Sequence, residues 1–286
     1  MNGSADGFTA DVLAWGVPRL RDLPWRRTRD PWAVLVSEVM LQQTQVARVI
    51  PRWHAFLDRF PTAEACATAA LGDVLREWQG LGYPRRARNL HATAQRVTEL
   101  GGFPRDLDGL LALPGIGPYT ARALLAFAFE IDAAVVDTNI ARVYARVAGE
   151  RLTPKRVQAL ADGACPSGDA WVWNQSLMDL GAVLCRPSSP RCDECPVAGR
   201  CAWRGSEAQD DPAVGSSGVS TRQARFDGSD RQARGRLMKA LADGPVDRRR
   251  VAEVMQRAPT TADRLVDALA AEGLCRIDGG TVSLPD

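Results

Sequence analysis

Lysine is almost absent from this 286-residue chain: it occurs only at Lys155 and Lys239, and every other basic residue is arginine. Genomic base composition accounts for the bias, but the bias has a chemical consequence. Any reaction that needs an amine nucleophile has almost no candidates here. Long apolar runs are also missing, and none approaches the ~18 residues a membrane helix needs. The opening MNGSADGF has no charged stretch followed by an apolar core, so nothing suggests export. A cytoplasmic, nucleoid-associated location is expected, where thiols stay reduced. Charge of one sign is missing too: the net is +2, which by itself points to no partner. No internal repeat and no long alternating run appear, which leaves an all-α chain as the expected class.

Hydrophobic residues make up 45% and charged residues 24%, ordinary for a globular protein long enough for two domains. Residues 1–204 read as one helical domain. Apolar residues recur at helical spacing in PWAVLVSEVMLQQ, VARVIPRWHAFLDRF, ARNLHATAQRVTEL, TARALLAFAF, TNIARVYARVAG and WNQSLMDLGAVLC. Breakers fall between such segments, at Phe60-Pro61-Thr62, Gly101-Gly102, Pro114-Gly115 and Thr153-Pro154. Residues 205–230 read as a linker, polar and without apolar periodicity at their start. Residues 231–286 suggest three helices and then a hairpin turned by Asp278-Gly279-Gly280, a small winged-helix-like domain. Arg248-Arg249-Arg250 reads as a solvated face or as a phosphate contact.

Four cysteines stand in a fixed rhythm, Cys185-x6-Cys192-x2-Cys195-x5-Cys201. Four closely spaced thiolates hold either an iron–sulfur cluster or a zinc ion. Only one CxxC pair is present, and the spacing favours a 4Fe–4S cluster. A disulfide framework is disfavoured, because no secretory signal precedes it and an odd cysteine would be left over. Cys66, Cys165 and Cys275 stand alone and read as buried or inert.

Leu113-Pro114-Gly115-Ile116-Gly117-Pro118-Tyr119-Thr120-Ala121 lies between two apolar helical stretches. Gly115 and Gly117 free the backbone N–H groups to point outward, and Thr120 is placed to cap the second helix. Amides at a helix start grip phosphate without reading sequence. The segment has the form of a helix–hairpin–helix motif.

That hairpin, an Asp some 20 residues later and the cysteine loop, in this order, resemble the helix–hairpin–helix DNA glycosylase superfamily. SEVMLQQTQV (37–46), GLGY (80–83) and WNQSLMDLGAVLC (173–185) are similar to the adenine DNA glycosylase branch, over about residues 14–204. The resemblance implies a helix–hairpin–helix glycosylase fold with a 4Fe–4S cluster on the four cysteines. It implies double-stranded DNA as partner, with adenine mispaired with 8-oxoguanine or guanine as substrate, and a monomeric enzyme of base-excision repair. Glu38, among Val34, Leu35, Val36, Val39, Met40 and Leu41, is then the general acid, kept protonated by burial. On the residues alone it is equally a surface helix glutamate.

Asp137 reads as a helix N-cap, or by resemblance as the anion that stabilises an oxocarbenium ion or traps it covalently. Asn139 would support the leaving base or the water. Where relatives commonly have Asp-Gly-Asn, this chain has Asp137-Thr138-Asn139. Tyr119 stands where the endonuclease III branch has a Schiff-base lysine, which implies base release without strand cleavage. The pocket for the extruded base maps onto Trp25, Arg26, Leu41 and Gln175. Gln43 and Tyr83 match residues that wedge into the duplex. Arg85, Arg86 and Arg88 follow at once and are expected to meet phosphates. Two other readings stand beside this one: a thymine glycosylase for G·T mispairs, and a non-catalytic iron–sulfur DNA-binding protein. The tail is too short for the larger 8-oxoguanine-reading domain many adenine glycosylases carry.

Overall fold

The computed structural model describes residues 2–204, 210–216, 218 and 225–286, with side chains from Gly7 onward in the first helix. Residues 205–209, 217 and 219–224, all within the stretch read as a linker, lie outside the described residues. The chain forms two compact units. The first takes 1–34, 105–108 and 117–222, and the second takes 35–104, 109–116 and 223–286. No helix among the described residues is long and apolar enough to cross a membrane.

The first unit is built around the helix Ala170–Val183, whose residues Trp173 to Gly181 are all buried. Trp173, Leu177 and Leu180 each keep 1% exposure or less. The helix Thr138–Ala148 packs beside it with Ile140, Ala141, Val143 and Tyr144 inward, the i, i+3, i+4 rhythm of a core-facing stripe. Asp137 caps the start of that helix, and Gly149 ends it in the left-handed conformation at φ +70°. Gly181 lets the two helices approach closely. A Cβ there would stand 2.6 Å from the Asn139 Cβ and 2.9 Å from its carbonyl oxygen.

Asn174 ties the central helix to the extended segment before Asp137. Its Oδ1 accepts the Val135 N–H at 2.9 Å, and its Nδ2 donates to the carbonyls of Ala133 and Ala170 at 2.9 and 2.7 Å. The described part of the linker stretch, 210–216, is anchored on this unit rather than free. Asp211 pairs with Arg146 at 2.7 Å, and the Ser216 hydroxyl accepts the Leu152 N–H at 3.0 Å.

The second unit joins the helices Val46–Arg59, Leu71–Glu77 and Arg85–Glu99 to the C-terminal module. That module runs helix Asp230–Asp243, strand Val246–Asp247, helix Val251–Met255, helix Pro259–Ala271, then strands Arg276–Asp278 and Thr281–Ser283. This is the element order of a winged helix. Thr281–Ser283 lies between the other two strands and antiparallel to both, with Val282 opposite Val246 and Ile277. The expected turn at Asp278-Gly279-Gly280 is present, with both glycines at positive φ. Gly72 donates its N–H to the Pro285 carbonyl at 3.0 Å, a contact any Cβ at 72 would obstruct. Arg248 pairs with Asp267 at 2.9 Å and Asp263 at 3.4 Å, so the first arginine of its run faces carboxylates on its own module.

Replacing Asn174 with Ala removes this partner from the Val135 N–H and the Ala133 carbonyl in the core. We expect about 3 kcal/mol of lost stability in urea denaturation, well above the value for an exposed Asn→Ala change.

Candidate active site and cluster loop

Asp137 is held from three directions in the first unit. Its Oδ1 accepts the Ile140 N–H at 2.7 Å, as an N-cap should. Its Oδ2 accepts from the Asn139 amide at 2.8 Å. Behind them Arg142, 3% exposed, donates to Asn139 Oδ1 at 2.8 Å, to the Gly181 carbonyl at 2.7 Å and to the Cys185 carbonyl at 2.6 Å. Loss of water raises the Asp137 pKa above its ordinary value. The Ile140 N–H, the Asn139 amide and the Arg142 charge each oppose that rise without cancelling it. Asp137 is therefore both the N-cap and a carboxylate whose ionised form is uneasy. Asn139 differs from expectation: both ends of its amide are engaged, so it positions the carboxylate rather than facing a base or water. Thr138 opens the helix, a backbone state that needs no glycine.

Glu38 belongs to the second unit, near the end of the helix Pro31–Leu41. It is 5% exposed, among Leu35, Val36 and Met40, which are fully buried. The reading as a surface glutamate is thereby removed. Leu41, three residues on, is half-buried.

Trp25 and Gln175 are both buried in the first unit. Arg26 is buried too, but it is not open to a base edge. Both of its Nη atoms grip Asp179 at 2.8 Å, and Nη1 also reaches the Arg21 carbonyl. Arg21 binds the same carboxylate at 2.6 Å. Burial alone would raise the Asp179 carboxyl, but Arg26 and Arg21 outweigh it and the net shift is downward. The expected role of Arg26 is corrected on this ground: its donors hold a buried carboxylate.

In the hairpin, Gly115 is left-handed at φ +72°, and a Cβ there would stand 2.7 Å from the Asn89 Cβ. Gly117 is the N-cap of the helix Pro118–Phe127, which has no side-chain cap. Thr120 does not cap it; it is the third helical residue and is buried. The uncapped start suits a phosphate grip. Tyr119 follows Pro118 in the first turn and is half-buried.

Both residues expected to wedge into a duplex have left-handed backbone, Gln43 at φ +57° and Tyr83 at φ +49°. Non-glycine residues hold that region only under constraint, and such strain gathers at functional turns. The constraint is Arg86. Its Nη1 donates to the Val39, Met40 and Gln42 carbonyls at 2.7, 3.1 and 2.7 Å. Its Nη2 reaches the Leu81 and Gly82 carbonyls at 2.9 and 3.2 Å and Thr44 Oγ1 at 3.3 Å. One guanidinium thus clamps the residue before each wedge. Burial lowers the Arg86 pKa to about 10, which keeps it charged at neutral pH. Arg85 and Arg88 are also engaged within the unit, on the Glu272 side chain and carbonyl respectively. Of the three arginines expected to meet phosphates, Arg86 is therefore a structural tie, whereas the Arg85 side chain stays 62% exposed beside its carboxylate.

Cys185, Cys192, Cys195 and Cys201 line one cavity in the first unit, walled by Val143, Leu180, Leu184 and Val197. None forms a disulfide. Arg146 Nη1 donates to Cys185 Sγ at 3.3 Å, and the Arg204 N–H donates to Cys201 Sγ at 3.2 Å. Donors aimed at sulfur suit thiolates. Among the described residues no group of three or more His, Cys, Asp or Glu side chains is placed to hold a single metal ion. Four thiols around a shared space fit a multi-iron cluster. When bound, the 4Fe–4S cluster cross-links four points of the loop.

Residues 36–167 match the HhH-GPD superfamily of base excision DNA repair proteins, and residues 185–201 match the iron–sulfur binding domain of endonuclease III. The adenine DNA glycosylase of Mycolicibacterium smegmatis is 43% identical over 92% of this chain and 91% of its own. The chain belongs to the adenine DNA glycosylase family. Of the solved structures, a thermostable thymine-DNA glycosylase superposes with a TM-score of 0.68 at 31% identity, covering 71% of this chain and 98% of that one. A trapped endonuclease III–DNA covalent intermediate has a TM-score of 0.62 at 24% identity, over 69% of this chain and 94% of that one, and shares the fold.

What sequence reasoning missed in this family member is a set of inward-turned arginines, Arg142 and Arg146 buried in the first unit and Arg86 half-buried in the second. Arg86, Arg142 and Arg146 were indistinguishable from solvated arginines, except that each lies on an apolar helix face. Arg86→Lys keeps the charge but not the planar fork that meets two turns at once. We expect it to lower stability by about 2–3 kcal/mol in thermal or urea melts, whereas Arg85→Lys, at an exposed side chain, stays within about 0.5 kcal/mol.

Proposed function

We propose that this chain is a monofunctional DNA glycosylase that hydrolyses the N-glycosidic bond of adenine mispaired with 8-oxoguanine or guanine. The observation that carries the reading is the Asp137 carboxylate, anchored at a helix start yet raised by burial. Departure of adenine leaves cationic character on the sugar. An anion poorly solvated before the reaction gains most when that cation forms beside it. Departing adenine also needs a proton, and the buried Glu38 is the carboxyl we assign to supply it. Water completes the hydrolysis and leaves an abasic sugar on an unbroken strand. Tyr119 offers no amine to attack that sugar, which accords with release without a lyase step. Double-stranded DNA is held by the uncapped helix start at Pro118 and opened by Gln43 and Tyr83, so that the adenine turns out of the stack. We assign the buried Trp25 and Gln175 of the first unit to the walls that receive it.

Glu38→Gln tests the acid directly. In single-turnover assays on A·8-oxoguanine, A·G and T·G duplexes, the parent chain should release adenine from the first two and leave the strand intact. The variant should bind the same duplexes but release base at least a hundredfold more slowly. Preferential release from T·G by the parent chain would instead establish the thymine reading that the likeness to the thymine-DNA glycosylase keeps open.

Asp137 sets the acid side of the pH profile. Its raised pKa means the anion is lost at a higher pH than for an ordinary aspartate, so base release should fall off in acid with a midpoint above the ordinary value of 3.8. Asn139→Ala removes a hydrogen bond that lowers this pKa and should move the acid limb to higher pH; an unmoved limb counts against Asp137 as the titrating group. Protonation of Asp137 does not itself destabilise the fold. A carboxyl raised by folding binds its proton more tightly in the folded chain. Its contribution to stability is therefore present in acid and lost as pH rises through the folded pKa.

A further inference from the structure

Tyr83 touches more than its own turn. Arg231, at the second position of the helix Asp230–Asp243, donates from Nη1 to the Tyr83 hydroxyl at 2.8 Å. The same guanidinium lies 5.8 Å from the Tyr83 ring centroid and 5.2 Å from that of Phe226. Phe226 is 50% exposed. The Arg86 guanidinium also lies 5.5 Å from the Tyr83 ring centroid. A cation in the first turn of a helix opposes the helix dipole, so the position of Arg231 calls for a compensating partner.

The surroundings fix Arg231 in place. Ser229 caps its helix by accepting the Gln232 N–H, and Arg257 donates to the Gly228 and Ser229 carbonyls. Further along, Glu272 binds both Arg85 and Arg234. Burial alone would raise the Glu272 carboxyl, but these two arginines bring it down to about 2. The C-terminal module is therefore tied to the very helix that follows Tyr83.

We propose that Arg231 is a positioning residue for the wedge: through it the C-terminal module holds the Tyr83 side chain in the pose that enters the duplex, with Phe226 as the exposed flank of the same surface. The proposal rests on the reading of Tyr83 as the wedge. A strained turn sets the backbone, and the guanidinium–phenol hydrogen bond sets the ring. A tyrosine already oriented loses less freedom when a base is extruded. The module thus belongs to the recognition apparatus, although it holds neither proposed catalytic carboxyl.

The test is a double-mutant cycle on the full chain with its cluster, read by 2-aminopurine fluorescence beside the target adenine and by single-turnover base release. Arg231→Met and Tyr83→Phe should each slow extrusion by about tenfold, the scale of a hydrogen bond to a charged group. The double variant should be no worse than either single one. Arg231→Lys should restore part of the rate. Melting temperatures and cluster absorbance should stay at parent values, which separates positioning from folding. Because Arg231 acts on a tyrosine and not on phosphate, Arg231→Met should leave the salt slope of DNA binding unchanged. Multiplicative losses in the double variant, a shallower salt slope, or parent-like extrusion by Arg231→Met would each overturn the proposal. Tyr83→Ala separates the two levels: if it leaves extrusion intact the wedge reading itself fails, whereas a large loss there beside a silent Arg231→Met refutes only the role of Arg231.

Discussion

Inward-turned guanidinium groups hold the working turns of this protein in place. Arg86 binds five carbonyls and a hydroxyl around the two left-handed turns. Arg142 backs the Asn139–Asp137 pair, and Arg26 fixes Asp179 on the central helix. Arg146 joins the cluster loop to Asp211 and stacks on Trp203 at 4.5 Å. Each is a planar, permanently charged fork with five donors, and each is surrounded by carbonyls, carboxylate or sulfur. Lysine offers neither the plane nor the reach. A buried charge of this kind is tolerated only when its donors are nearly all satisfied, so the acceptors around it must keep their places.

Much of this was legible in the sequence. The helices followed from apolar spacing, and the breaks at Phe60-Pro61-Thr62 and Thr153-Pro154 fell where proline and threonine start new helices. Asp137 read correctly as an N-cap because the residues after it carry a strong helical stripe. Glu38 sat in a run of apolar neighbours, which left burial and a surface place equally open, and only the resemblance pointed to burial. The hairpin at Asp278-Gly279-Gly280 came from the glycine pair alone. The cysteine rhythm pointed to a cluster before any contact was known.

The rest was hidden for a physical reason. Apolar periodicity reports which face of a helix is inward, but not which long polar side chain reaches across to another segment. Arg26 and Arg86 look like donors awaiting a ligand because their sequence neighbours say nothing about Asp179 or about the carbonyls of a distant turn. Thr120 looked like a cap because threonine often is one, yet the helix begins earlier, at Pro118. Residues 210–216 looked like free linker by composition, and a single carboxylate and a single hydroxyl suffice to fasten them. Left-handed backbone at Gln43 and Tyr83 has no signature in residue type at all.

Those two turns bear on how the molecule tolerates change. Glycine adopts positive φ freely, so it relieves local backbone strain at either position. Selection for heat resistance would favour such relief, while selection for mismatch discrimination would oppose it. Positions 43 and 83 are therefore where durability and substrate recognition pull against each other, and a glycine in either place would mark a chain that had traded the second for the first.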